Sequence, residues 1–388
     1  MKKRRKSENR KVVLQDMDGF FPAGIERFVF NIYNNKARGD ISFDFVLAKY
    51  TESFYSRQIE AKGENAYYLG VSGTLYSRIR SYIRFFLLVR EKKYSVVHIQ
   101  GFTFNNSIHS FLARLAGVKH IIMHSHNDMD RLIDNKHKLF FFIARIIMLK
   151  SATDYWCCSE VAGRWAFGDK YYNSNKVKII ENGLYYRDYL FDITQRKEKR
   201  RILNYQEDNF VIGHIGRFHK QKNHIFIIEM FEKIYKKNNK VRLLLVGEGE
   251  LKEKIKGIVN EKKLNNVVYF HDATNNVREL YSAMDLFFLP SNDEGLGIVA
   301  VEAQLSGLPV VCSNAVPKEV AISNNIDFLD FKDENLWIEY ILKRVGQNRK
   351  KIKSLAAFWE KGYDINSVAE KVFHMYSQMM ENEYENNY

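Results

Sequence analysis

Ten short runs of branched and aromatic apolar residues set the fold class of this chain. Each is followed by a stretch of helical periodicity or by a loop leading to one. Five lie in the first half, at residues 11–15 (KVVLQ), 43–48 (FDFVLA), 95–99 (SVVHI), 120–124 (HIIMH) and 176–180 (KVKII). Five lie in the second, at 210–215 (FVIGHI), 241–246 (VRLLLV), 266–270 (NVVYF), 285–289 (DLFFL) and 309–312 (PVVC). Strands that alternate with helices build parallel βαβ units, because a parallel neighbour is reached only through a crossover. Between the two series, residues 192–206 (DITQRKEKRRILNYQ) turn polar and charged. The pattern predicts an α/β protein with two doubly wound, Rossmann-like parallel-sheet domains in tandem. A length of 388 residues exceeds what one core usually holds. The expected divisions are a basic N-terminus at 1–10, a first domain at 11–195, a second at 196–360, and a last helix with a polar tail at 361–388.

The halves differ in charge. The chain carries a formal +14, and residues 1–200 hold 35 Lys and Arg against 20 Asp and Glu, while residues 201–388 hold 25 against 26. A basic half meets nucleic acid, anionic lipid or a phosphorylated substrate, and charge alone does not choose among them. The three cysteines (Cys157, Cys158, Cys312) show no CxxC spacing and are read as buried thiols of a cytoplasmic protein. No apolar run follows the basic start MKKRRKSENRK, so no secretory signal is read there. The longest apolar stretch, residues 139–149, is half the length that crosses a bilayer. Residues 77–93 are basic and amphipathic; they either pack an apolar stripe into the core or lie on a membrane surface.

In open parallel sheets ligands bind beyond the carboxyl ends of the strands. After the run 210–215 come Gly216, Arg217 and Lys222, the two cations flanking a loop that opens a helix at Asn223. Such a pair beside a helix start suits a diphosphate. After 285–289 comes Glu294, then Gly295, Leu296, Gly297 and Ile298, and then Glu302 inside an apolar helix. The glycines let the backbone approach a ligand and leave free amides at the helix start. A carboxylate inside the apolar run is costly unless it is paired or binds something. Together these parts describe a diphosphate with hydroxyl-bearing sugars on either side.

These residues resemble the C-terminal half of retaining GT-B glycosyltransferases of family 4, and more narrowly the transferases of bacterial exopolysaccharide and capsule synthesis. The likeness rests on GRFHKQKNH, LLLVGEGEL and PSNDEGLGIVAVEAQLSGLPVVCS, with HSHND at 124–128 and ENG at 181–183 in the expected order. It implies two domains facing across a cleft and a C-terminal helix that crosses back to the first. By that likeness Arg217 and Lys222 hold the diphosphate, Glu294 the donor sugar and Glu302 the ribose. Gly295–Ile298 contact the sugar and β-phosphate, His126 faces the donor sugar, and Gly24, Gly216 and Asn182 complete the donor site. The family's paired glycines are Ala23 and Gly24 here, and Leu184 and Tyr185 replace its acidic position after Asn182-Gly183.

The activity so implied moves a hexose or N-acetylhexosamine, chiefly from a UDP-sugar, to a polyprenyl-diphosphate-linked oligosaccharide with retention of configuration. No cofactor and no metal is expected; the carboxylate pairs Asp16/Asp18 and Asp128/Asp130 are read as chance DxD matches. Gly247-Glu248-Gly249 begins a dinucleotide fingerprint but fails at Lys252. The expected partners are the nucleotide sugar, the lipid-linked acceptor and the inner face of the cell membrane, docked through residues 2–11 and 78–93, and not nucleic acid. A nucleotide-sugar epimerase of GT-B-like shape and a non-catalytic basic binding module are the competing readings.

Overall fold

The computed structural model describes residues 11–20, 24–126, 135–274, 276–347, 349, 352 and 354–385. Two parallel sheets organise it. The first contains β1 (Val12–Met17), β2 (Ser42–Leu47), β3 (Ala66–Tyr68), β4 (Val96–Gln100), β5 (His120–Ser125), β6 (Asp154–Cys157) and β7 (Val177–Ile179). Their order in space is β3-β2-β1-β4-β5-β6-β7. The second contains β8 (Phe210–Ile215), β9 (Val241–Val246), β10 (Val268–His271), β11 (Leu286–Leu289), β12 (Val310–Ser313) and β13 (Ile326–Leu329), ordered β10-β9-β8-β11-β12-β13. The order reverses between β1 and β4 in one sheet and between β8 and β11 in the other, and these switch points open the crevices where such sheets bind ligands.

The ten expected runs are all strands. The three that periodicity did not reveal are β3, β6 and β13. The first has three residues and the others four, and β13 is a half-buried edge strand. Segments this short carry too little pattern to stand out.

Two compact units follow the two sheets. One comprises the chain to Leu184 together with the stretch from Gly362; the other runs from Tyr185 to Lys361. The first unit ends eleven residues ahead of the expected 195, because the polar stretch is not a free linker. Its helix Ile193–Ile202 is bolted to the second unit through Asp285, just ahead of β11. Arg196 Nη2 reaches Asp285 Oδ1 at 2.6 Å, Arg200 Nη1 reaches Oδ2 at 3.0 Å, and the Val211 amide donates to Oδ2 at 2.8 Å. Charge here serves packing, which composition alone reads as solvation.

The last helix, Ile365–Glu385, belongs to the first unit. Phe373 and Tyr376 pack their rings on Phe43 of β2, and Asn366 accepts from Asn35 at 3.1 Å. The ENG motif supplies the landing: a side chain at Gly183 would stand 2.8 Å from the Ile365 backbone, and Lys371 meets Glu181 at 3.0 Å.

The helix Leu75–Lys92 departs from the expected packing of an apolar stripe. It buries only Ser77, Ser81, Phe85 and Val89, while Leu75, Ile79, Ile83 and Leu87 stay exposed. Cys157, Cys158 and Cys312 are buried free thiols, and burial pushes Cys157 up to about 12. Among the described residues no helix is long and apolar enough to cross a membrane.

Candidate functional site

The second switch point gathers the charged motif. Gly216 follows β8, and a β-carbon there would sit 3.2 Å from Lys222 Cγ, so the glycine leaves the lane along which the lysine runs. Lys222 Nζ donates to Glu294 Oε1, and Ser291 Oγ donates to the same oxygen at 2.7 Å. Both members of the pair are largely buried. The two loops are sewn together beside it: the Asn292 amide donates to Gln221 O at 2.8 Å and Asn292 Nδ2 to Lys220 O at 2.9 Å.

Gly297 caps the helix Ile298–Leu305 at φ 82°, a left-handed conformation in which a side chain would also press on Val316 Cγ1 at 3.2 Å. It makes no side-chain cap, so the helix start keeps the local positive end of the backbone dipole. Glu302, in the second turn of the helix, is fully buried and its Oε2 accepts from the Tyr281 hydroxyl at 2.8 Å. That hydroxyl supplies the pairing a buried carboxylate requires.

Arg217 stands apart from Lys222. Its guanidinium is 68% exposed and pairs with Glu250 at 3.2 Å, a carboxylate that His219 also approaches at 3.5 Å. Exposed pairs of this kind contribute little, about 0–1 kcal/mol, and exchange partners readily. The Gly-Glu-Gly stretch after β9 has a packing role. A side chain at Gly247 would fall 2.1 Å from Gly216 O, and one at Gly249 2.6 Å from Phe218 O. These glycines let the loop after β9 close on the loop that carries Arg217.

The remaining candidates lie in the first unit. Gly24 opens the helix Gly24–Tyr33, with nothing within 4 Å of where its side chain would be. Ala23 and Asp128/Asp130 lie outside the described residues. His126, just past β5, is buried with Nε2 2.8 Å from Gln100 Oε1, and burial drives its pKa down to about 3. Asn182 Oδ1 is buried and has no hydrogen-bond partner among the described residues. Asp16 is engaged by His109 Nδ1 at 2.7 Å, and among the described residues no cluster of three His, Cys, Asp or Glu is arranged to hold a metal.

Sequence reading missed Ser291, Asn292, Glu250, Tyr281 and Gln100. Ser291 and Asn292 were inside the quoted motif. Glu250 and Tyr281 reach their partners from other elements, which no local spacing signals.

Residues 195–354 match the family described as glycosyl transferases group 1. The match lies within the second unit. Along nearly its whole length the chain is similar to EpsF of Bacillus subtilis (strain 168), a protein named as a glycosyltransferase. That match is 28% identical and covers 96% of this chain and 97% of the relative. It is also 25% identical to the Escherichia coli UDP-Gal:alpha-D-GlcNAc-diphosphoundecaprenol alpha-1,3-galactosyltransferase, over 70% of this chain and 71% of that one. The solved structure of Anabaena HepE in complex with UDP and glucose superposes with a TM-score of 0.72 at 17% identity, covering 97% of this chain and 99% of that one. The fold is therefore GT-B, and the Lys222–Glu294 pair and the Gly297 helix start fall within the matched domain.

Proposed function

We propose that this glycosyltransferase is a retaining, metal-independent enzyme. It moves a hexose or N-acetylhexosamine from a UDP-sugar to a diphosphate-lipid-linked oligosaccharide in exopolysaccharide or capsule synthesis. The observation that carries this reading is the buried Lys222–Glu294 pair beside the Gly297 helix start. Departure of a nucleoside diphosphate places growing negative charge on the β-phosphate. Lys222 and the amides of Gly295–Ile298 supply fixed positive charge for it, and Arg217 joins by exchanging Glu250 for phosphate. Glu294 then takes donor-sugar hydroxyls, and Glu302, oriented by Tyr281, takes the ribose. Retention is read as attack by the acceptor hydroxyl from the face the diphosphate leaves, so no carboxylate is assigned as nucleophile. The donor and acceptor classes follow from the relatives: HepE was crystallised with UDP and glucose, and the E. coli enzyme is named for UDP-Gal and a diphosphoundecaprenol acceptor.

A UDP-, GDP- and dTDP-sugar thermal-shift screen tests the donor. One UDP-sugar should stabilise the wild type by mass action and fail to stabilise Lys222→Ala. Turnover should persist in EDTA; complete metal dependence would overturn the metal-independent mechanism. Conversion of the sugar nucleotide to an epimer without acceptor would overturn transfer itself.

The membrane partner is supported by a surface of the first unit. Among the described residues, thirteen of the twenty-one exposed large apolar side chains lie on the helices Leu75–Lys92, Phe104–Leu115 and Asn135–Ser151. Phe104 and Phe140 rings at 6.3 Å and the Tyr82–Asn105 hydrogen bond at 2.6 Å join the three helices into one face. In sequence those helices hold ten Lys and Arg and a single acid, Glu91. Apolar residues among cations match an anionic bilayer surface, where each cation is worth about 1 kcal/mol. Flotation on phosphatidylcholine vesicles with and without phosphatidylglycerol tests this. Binding should need the anionic lipid and fall in Phe140→Ser/Phe142→Ser. A dimer that buries this face, or no vesicle binding, would overturn it.

A further inference from the structure

Behind His126 runs a buried chain of hydrogen bonds that glycosyl transfer, as read above, does not use. His126 Nε2 lies 2.8 Å from Gln100 Oε1, and Gln100 Nε2 donates to Gln15 Oε1 at 2.9 Å. Gln15 Nε2 donates to the Tyr376 hydroxyl at 3.2 Å, which lies 2.6 Å from His98 Nδ1. His98 Nε2 in turn lies 3.2 Å from His124 Nδ1. All six side chains are buried, and they come from β1, β4, β5, the turn after β5 and the C-terminal helix. The chain ends at His124 Nε2, which is buried without a hydrogen-bond partner among the described residues.

Each link holds one proton, so the direction of one link sets all the others. The Gln100 amide spends its NH₂ on Gln15 and turns its oxygen to His126. Only an Nε2–H satisfies that oxygen. A neutral imidazole carries one proton, so His126 Nδ1 is left with a lone pair, and it has no hydrogen-bond partner among the described residues. Burial keeps all three rings neutral, lowering His98 and His124 well below the usual histidine range and His126 to about 3. The same direction holds at the far end. The Tyr376 hydroxyl accepts from Gln15 and gives its proton to His98 Nδ1, and His98 Nε2–H donates to His124. His124 Nε2 then carries a proton. Phe28 and Trp156 stand nearly perpendicular to that ring, with centroids 5.1 Å and 5.8 Å away. Reversing the chain requires both amides to turn over and all three histidines to change tautomer together.

We propose that this chain holds His126 as the Nε2–H tautomer with Nδ1 presented as an acceptor for a sugar hydroxyl, and that Gln100, Gln15 and Tyr376 are positioning residues for the transfer reaction. The second part rests on the reading that His126 meets the donor sugar. It gives the C-terminal helix a chemical role besides packing, since Tyr376 closes the chain from that helix.

Long-range ¹H–¹⁵N correlation on full-length, ¹⁵N-histidine-labelled wild-type protein reads the tautomer directly and needs no variant. The expected result is a lone-pair shift at His126 Nδ1 and a protonated shift at Nε2. A protonated Nδ1, or an even mixture, would overturn the assignment. In Gln100→Met the bias should disappear and kcat should fall about tenfold, the scale of one lost hydrogen bond, with donor KM changed less than about twofold. An unchanged kcat in Gln100→Met, with the bias lost, would overturn the positioning role. Failure of the wild type to turn over any sugar nucleotide would instead count against glycosyl transfer and leave the tautomer result standing.

Discussion

The two units share one architecture and use their switch points differently. Across β1, β4 and β5 the first unit buries a neutral polar network of Gln15, Gln100 and three histidines, and many of its cations lie on the outer helices. At the end of β8 and β11 the second unit buries a charged pair, Lys222 and Glu294, and over residues 185–361 it carries 29 Lys and Arg against 24 Asp and Glu, a net +5 where the first unit has +9. The doubly wound sheet fixes where a ligand binds and leaves open what binds it. That choice lies in the half-dozen residues following each switch strand. The +14 divides unevenly between them, and its larger share, +9, lies in the unit whose buried site is uncharged.

Acid should separate the units most strongly. Burial lowers the folded-state pKa of His98, His124 and His126 in the first unit, and of His214 and His224 in the second, the last two to about 3 and about 2. A depressed histidine pKa means that the unfolded chain binds more protons below pH 6.5. Its stabilising effect is therefore complete above that pH and is lost as pH falls toward the folded value. Each histidine contributes about 1.4 kcal/mol per pH unit, so by pH 5 the first unit should lose about 6 kcal/mol and the second about 4. Urea unfolding at pH 7 and pH 5 reports this, because Trp156 and Trp165 lie in the first unit and Trp337 and Trp359 in the second. Equal losses in both would break the comparison.

Next in size is the bolt at Asp285. Asp285→Ala strands Arg196 and Arg200, and removing one partner of a largely buried ion pair costs about 3–5 kcal/mol. The cost should fall on the transition followed by Trp337, with the first unit's transition unmoved. A shift of both would show that the units unfold as one.

The same bolt shows what the sequence reveals and what it hides. Apolar runs such as FVIGHI and VRLLLV announce strands buried on both faces, and the order of elements followed from them. The motif residues Lys222, Glu294 and Gly297 announced themselves because glycine and charge are rare beside an apolar strand. Arg196 and Arg200 read only as part of a polar, charged boundary between the domains, since nothing near them in sequence names Asp285 as their partner. Tyr281 beneath Glu302 and Gln100 behind His126 were hidden for the same reason: a partner supplied by another element leaves no spacing. The exposed row Leu75, Ile79, Ile83 and Leu87 was ambiguous because an i, i+4 repeat marks an apolar face without saying what covers it.

Smaller on the free-energy scale is the loss of transition-state charge stabilisation. Lys222→Ala and Glu294→Gln should each lower transfer by about 10²–10³-fold, some 3–4 kcal/mol, measured on protein that circular dichroism shows to be folded, since breaking so buried a pair should also lower the second unit's urea midpoint. Activity within threefold of wild type in either would remove the pair from the chemistry and reduce the second switch point to a packing device.

The smallest expected effect sharpens the comparison from the other side. Arg78, Arg80 and Arg90 are exposed on the helix Leu75–Lys92; among the described residues no ion pair or hydrogen bond to another residue's side chain engages them, and Arg90 only lies over the Phe86 ring of its own helix at 6.0 Å. Replacing all three by glutamine should therefore change the stability of the first unit by no more than about 0.5 kcal/mol. Turnover on a water-soluble acceptor should be unchanged too, since Lys222 and Glu294 belong to the other unit. Flotation on anionic vesicles, by contrast, should fall, and more at low salt than at high, because screened charges have less to lose. If the triple substitution leaves flotation intact, the apolar row alone holds the surface, and the excess charge of the first half serves some other partner.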